Sequence, residues 1–297
     1  MKKVIKFGLS RKIVANMTTE GWSAPHACII YEYDVTKLLE VIKDINRERS
    51  IKNRITLNTV MLKIIAEGMR ICPEMNGHIK YNRILAGGKV TLYDNVDITI
   101  PFFLSRSETL AVTIKNVESK SLSQLQDEIN DIFRRLKNTN VNQAMYEVAL
   151  SDTLRELRHF HIIKALGRFI GFALEGGYAR LLRGKEKREY NKIPASDRLT
   201  VDDLKQGTIT VSNLGTLKGT TGICTILELI PPQISAYAIS SVEDKPVVDR
   251  DGNIKAAKVL TVTGVIDHRA LDAGAGLPLV RYARRLFNHP EVLKEYL

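Results

Sequence analysis

The sequence predicts an α/β fold of the α+β two-layer kind, one mixed sheet with flanking helices and a helical insertion. Three observations lead there: segments with apolar residues at helical spacing, runs of β-branched and aromatic residues, and helices that precede, interrupt and follow those runs. With 297 residues, 44% of them hydrophobic and 26% charged, the chain is long enough to bury a real core.

The elements follow in order. Leu9 to Glu20 reads as a helix opening at Ser10, and Ala27 to Tyr33 as a strand that stops at Asp34, a good helix N-cap. In the helix behind it Val35, Leu38, Leu39, Val41, Ile42 and Ile45 recur at helical spacing. Leu57 to Arg70 is apolar over more than one face, which predicts a largely buried helix ended by Pro73. From His78 to Lys115 four β-rich runs alternate with turn residues, and Ser121 to Lys137 returns to helix. Strand signals resume at Gly207 to Val211, in QISAYAISSV and in AKVLTVTGVID, and a last helix runs through LPLVRYARRLF.

The stretch between Asn138 and Ser196 is different. From His159 to Glu175 the residues His161, Lys164, Arg168, Gly171 and Glu175 form a narrow polar stripe on an otherwise apolar helix, and a basic cluster from Arg180 to Arg188 follows. The helix is too short and too interrupted by charge to span a bilayer. It reads first as a hairpin sealing the domain or a subunit interface, with peripheral membrane contact through 159–188 as the alternative. His159 and His161, two apart on a helix, point in different directions, so no metal site is expected.

A net charge of +11 favours anionic partners. No basic recognition helix, finger spacing or RNP-type strand is present, so no nucleic-acid partner is expected, and a nucleotide-bearing cofactor or a lipid surface is preferred. The opening MKKVIKFGLS leads into no signal-peptide apolar block, which predicts a cytoplasmic protein. Cys28, Cys72 and Cys224 are widely separated and form neither a disulfide framework nor a zinc knuckle.

Three residues carry the candidate chemistry. Alternation along AKVLTVTGVID puts Leu260, Val262, Gly264 and Ile266 on one side, and the same parity places His268 at the strand's end, partly desolvated. Asp272 follows four residues later. Ser212 presents a hydroxyl where the strand TITV meets a Ser-Asn turn. Each has a bland reading too: a core histidine, an N-cap aspartate and a turn serine.

Their order and surroundings decide otherwise. SRKIVANM followed by APHACIIYEYDVTKLL, then CPEMNGHI, DLKQGTITVSNLG, LIPPQISAYAIS and VTGVIDHRALDAGAG together resemble the catalytic domain of the dihydrolipoamide acyltransferases of 2-oxo-acid dehydrogenase complexes, whose fold is shared with chloramphenicol acetyltransferase. The resemblance covers residues 9–138 and 197–297. It implies a single catalytic domain over residues 1–297 with a helical insertion at 139–196, and a coenzyme A-dependent acyltransferase. His268 is then the general base, Ser212 the oxyanion donor, and Asp272 a structural residue held by an arginine, Arg11 or Arg269. It implies a homotrimer with serine and histidine from different chains, and coenzyme A as a substrate with no residue yet assigned to its phosphates.

The chain also departs from that family. No lipoyl domain or subunit-binding domain is read in it, so no lipoyl attachment is expected, and the acyl donor and the acceptor stay open. Ala273 stands where the family has glycine, which costs roughly 1 kcal/mol or more if that position needs a positive φ. The competing functional reading is a non-catalytic trimeric scaffold or a paralogue that binds a membrane surface.

Overall fold

A computed structural model describes residues 2, 7, 9–48, 53–104, 109–158, 181–216, 221–249 and 251–297. Helix α1 spans Leu9–Trp22 and strand β1 His26–Asp34, where the Asp34 carboxylate accepts from the Thr36 backbone N–H at 3.0 Å. Helix α2 (Thr36–Glu48) buries Leu38, Ile42 and Ile45, so one stripe faces inward and the charged residues face water. Helix α3 (Leu57–Ile71) is buried on every side from Thr59 to Met69. Thr56 caps its start by accepting from the Thr59 N–H, and Pro73, which cannot continue a helical ladder, follows its end.

The main sheet has the strand order β1, β8, β7, β6, β4, β5, with β4 at Ile98–Phe103, β5 at Thr109–Ile114, β6 at Ile209–Asn213, β7 at Ser235–Val248 and β8 at Ile254–Asp267. Strand β8 runs antiparallel to both β1 and β7, whereas β6 runs parallel to β7 and to β4. The expected mixed sheet is therefore present. It does not take every strand: β2 (Gly77–Asn82) and β3 (Gly87–Leu92) form a second, antiparallel sheet, and β2 meets the segment before β7 through a single bridge, His78 to Gln233. Alternation shows that a segment is extended, not which neighbour it finds, and every residue of β3 is exposed. Strands β7 and β8 also run longer than expected, because Glu243 to Val248 pairs with Ile254 to Val259, a mostly exposed extension whose polar pattern hides the strand.

Helices α4 (Leu122–Lys137), α5 (Val141–Arg158), α6 (Gly184–Lys192) and the short α7 (Val201–Leu204) lie between β5 and β6 in sequence, and α8 (Leu277–Asn288) follows β8. The entry to β6 is tight. A Cβ on Gly207 would stand 2.3 Å from the Asp97 carbonyl oxygen, so only glycine lets this backbone pass.

The chain divides into two compact units. The larger comprises Thr18–Pro101, Thr113–Ile129 and Gly207–Leu297 and holds the candidate residues. The smaller comprises Met1–Met17, Phe102–Val112 and Asn130–Gln206. Within it Arg134 pairs with Asp197 at 2.7 Å, Arg135 with Asp203 at 2.8 Å, and Phe102 meets Phe133 edge to face. A capping box between Thr200 and Asp203 starts α7. The predicted amphipathic helix His159 to Glu175 lies wholly outside the described residues, as does Arg180; Arg183, Lys185, Lys187 and Arg188 stand at and within the start of α6. No helix among the described residues is long and apolar enough to cross a membrane.

Candidate active site

Strand β8 ends at Asp267, whose side chain is only 2% exposed, and the chain turns there. The Asp267 carbonyl accepts from the N–H groups of Ala270 and Leu271, and its carboxylate accepts twice from the Arg269 guanidinium, from Nε at 2.9 Å and from Nη2 at 2.6 Å. The guanidinium also lies 5.3 Å from the centre of the Tyr81 ring. His268 sits between these two residues, with its backbone N–H donating to the Pro25 carbonyl at 2.9 Å. An arginine does hold this turn, but its carboxylate is Asp267 rather than Asp272. The reason is local: residues 267 and 269 are alternate positions of one tight turn, so their side chains reach the same side, and Arg269 supplies the counter-charge that a buried carboxylate held otherwise by the residue 269 backbone N–H would lack.

Asp272 does something else. It is 92% exposed, and its Oδ1 lies 3.4 Å from Nδ1 of His268. The imidazole itself is 51% exposed in this chain. The desolvation expected from strand parity is thus not met by one chain: the ladder stops at Asp267, and both faces of β8 are buried, Thr261, Thr263 and Val265 as well as Leu260, Val262 and Ile266. Parity could not select a face there.

The glycine position after the aspartate also resolves. Ala273 opens a 3-10 turn, Ala273–Gly276, and the positive-φ positions among the described residues are Ala86, Asn116, Gly184 and Gly252. Neither Ala273 nor Gly274 is left-handed, so alanine meets no conformational penalty in this turn.

Ser212 is not beside His268. It lies opposite Ala238 on β7, Ala238 lies opposite Thr263 on β8, and His268 stands five residues further along. Five steps of about 3.3 Å along the strand and two spacings of about 4.8 Å across it separate the pair by roughly 19 Å in one chain. The turn after Ser212 is built by Asn213, whose side-chain oxygen accepts from the Gly215 N–H at 2.8 Å while its amide donates to Asn58 at 2.6 Å. The Ser212 hydroxyl makes no hydrogen bond with any of the described residues.

Two other histidines of this unit, His26 and His78, are structural, whereas His289 is exposed, 3.4 Å from Glu291. Nε2 of His26 accepts from the Leu229 N–H at 2.9 Å, which forces the proton onto Nδ1, where it is donated to the Ala24 carbonyl at 2.6 Å. His78 is held between the Gly207 carbonyl (3.1 Å) and the Tyr93 hydroxyl (3.0 Å). Burial lowers its pKa from the ordinary 6.5, with the bond to Gly207 opposing in part. A depressed folded-state value means that its contribution to stability is complete above about 6.5 and is lost as pH falls through the lower folded value. Melting temperature is accordingly expected to drop less between pH 7.5 and pH 5 in His78→Gln than in the parent protein; equal acid-side slopes in thermal melts would contradict this.

Among the described residues no group of His, Cys, Asp and Glu could hold a metal ion. The three cysteines are unpaired, and burial pushes each thiol up, so none offers a thiolate at neutral pH.

Solved structures share the fold. The cubic core of the pyruvate dehydrogenase multienzyme complex matches with a TM-score of 0.65 at 16% identity, over 99% of this chain and 94% of that one. Azotobacter vinelandii dihydrolipoamide acetyltransferase, in which a serine, a histidine and an asparagine were investigated for their roles in catalysis, matches at 0.64 and 16%, over 99% and 94%. The fold is that of the dihydrolipoamide acetyltransferase cores. The family follows from the sequence itself: the model for the 2-oxoacid dehydrogenases acyltransferase (catalytic domain) matches residues 2–147 and 185–294, and this chain belongs to that family. The dihydrolipoyllysine-residue acetyltransferase component of the pyruvate dehydrogenase complex of Staphylococcus aureus is 24% identical over 289 residues, 96% of this chain and 51% of its own length. The chain thus spans about half the length of the curated relatives it matches.

Proposed function

We propose that this protein is one catalytic domain that moves an acyl group between the thiol of coenzyme A and a thiol carried by a second molecule, with the segment 139–196 inserted in it. The observation that carries this reading is the His268 turn: an imidazole clamped through its backbone, with a carboxylate at Nδ1 and Nε2 left for a substrate. Asp272 keeps the proton on Nδ1, so Nε2 takes the proton of the attacking thiol. The resulting thiolate adds to the thioester carbonyl and a new C–S bond forms. The tetrahedral oxyanion accepts a hydrogen bond from a Ser212 hydroxyl, and its collapse breaks the old C–S bond while the imidazolium returns the proton to the departing thiolate. The spacing supports the assignment, for the histidine and asparagine studied in the Azotobacter vinelandii enzyme are also four residues apart.

The separation of about 19 Å within one chain supports a serine supplied by a partner subunit, and we assign the assembly to a homotrimer. A partner would also cover the half-exposed His268 ring. The residues that the family model leaves unmatched, 148–184, fall inside the proposed insertion, which we place at a subunit interface rather than on lipid.

Mixing subunits tests both the chemistry and the assembly. His268→Ala and Ser212→Ala proteins are each expected to be inactive, and an equimolar mixture brought through subunit exchange is expected to recover about one site in four, each combining an intact histidine with the partner subunit's Ser212. A mixture no more active than its parents would sink the shared site. A monomer by light scattering would sink the trimer.

A further inference from the structure

An apolar cavity of about 60 Å³ lies between the sheet face formed by β1 and β8 and the helices α3 and α8. Strand β8 contributes Val262, Gly264 and Ile266 to its wall, and His268 follows Ile266 by two residues. Ala273 and Gly276, from the turn just after Asp272, wall it on the other side. Ala273 is both exposed to solvent and part of the lining, so the cavity reaches the surface at the turn that carries His268 and Asp272. No charged side chain lines it, and the Tyr237 hydroxyl in its wall is already turned to the Met75 sulfur at 3.9 Å.

We propose that this cavity is the acyl-chain subsite of the His268 site and takes a short, saturated chain whose thioester carbonyl stays at the mouth. The proposal rests on the acyltransferase reading above and adds the substrate's size. A cavity of about 150 Å³ holds benzene, roughly 25 Å³ per carbon, so the space here admits two or three carbons beyond the carbonyl. Ala273 places a methyl group at the mouth where the family has none, which makes it one of the residues that set the width. The acyl group enters and leaves with the carbonyl chemistry unchanged: one C–S bond forms, one breaks, and the proton passes through His268.

Two substitutions alter the cavity in opposite directions. A Cβ on Gly264 would meet the Tyr237 ring at 3.5 Å, an ordinary contact, so Gly264→Ala narrows the cavity without a clash. Leu279→Ala removes side-chain volume from the α8 wall and lengthens it.

The experiment is calorimetric binding of a series of unreactive S-alkyl-coenzyme A thioethers, methyl to octyl, to the full chain. In the parent protein affinity is expected to rise about fourfold per carbon, the gain for burying one methylene, up to three or four carbons and then to fall. The maximum is expected one carbon shorter in Gly264→Ala and two or more longer in Leu279→Ala. Equal affinity for all chain lengths in the parent protein overturns the subsite while leaving the acyltransferase reading intact, and so do maxima that stay in place in variants that melt cooperatively. Where a variant does not fold, the series on the parent protein decides alone. A protein that binds no coenzyme A species removes the acyltransferase reading, and the subsite with it.

Discussion

Replacing His268 by alanine is expected to lower kcat/KM for acyl transfer between thiols by about 10² to 10⁴-fold and to leave the melting temperature unchanged. The first part follows from chemistry. A thiol is a poor nucleophile until its proton is removed; His26 and His78 have both ring nitrogens committed to backbone or tyrosine groups, and the exposed His289 stands beside Glu291 after α8, not in the turn that carries His268. The second part follows from packing. The imidazole is half exposed, and what ties residue 268 to the fold is its backbone N–H on the Pro25 carbonyl, which alanine keeps. Asp272 separates orientation from charge. Asp272→Asn retains an oxygen that can accept from Nδ1 and is expected to keep most of the activity, whereas Asp272→Ala is expected to lose about tenfold, the worth of one hydrogen bond to a charged group. Steady-state kinetics across the three variants check this; full activity in His268→Ala would remove the base from the mechanism.

Breaking the pair beneath the turn is expected to have the largest effect on stability. Asp267→Ala leaves the Arg269 guanidinium without the carboxylate that it contacts twice, and Arg269→Ala leaves a buried carboxylate without its counter-charge, holding only the backbone N–H of residue 269. Loss of one partner of a buried pair costs about 3 to 5 kcal/mol. The lower end applies to Asp267→Ala, because Arg269 is about a quarter exposed and can turn to water, and the higher end to Arg269→Ala. Urea unfolding measures both. The double variant Asp267→Asn with Arg269→Gln, which removes both charges, is expected to be more stable than Arg269→Ala alone. Single variants as stable as the parent protein would show that the turn is held by its backbone, through the Asp267 carbonyl and the Pro25 carbonyl, and not by the ion pair.

Much of this protein was legible in one dimension because local signals decide it. Helical spacing in Val35 to Ile45 buries Leu38, Ile42 and Ile45, and the all-round apolar run from Leu57 to Arg70 becomes a helix with no solvent face. Order and motif strings placed His268 at the end of a central strand and Ser212 at the end of another, and the family is the one those strings resemble.

What remained illegible depends on which residues meet across long separations. The sequence determined that Asp267, Arg269 and Asp272 cluster around His268; only the tertiary structure decided that Arg269 turns back to Asp267 while Asp272 faces the imidazole. Charge type and spacing are the same in either arrangement, and the choice falls to burial, which withdraws Asp267 from water and demands a partner. The β2–β3 hairpin apart from the main sheet, the distance of about 19 Å between Ser212 and His268, and the cavity between β8 and α8 have the same origin. Each is set by strand order and helix packing, which leave no periodic mark on the chain.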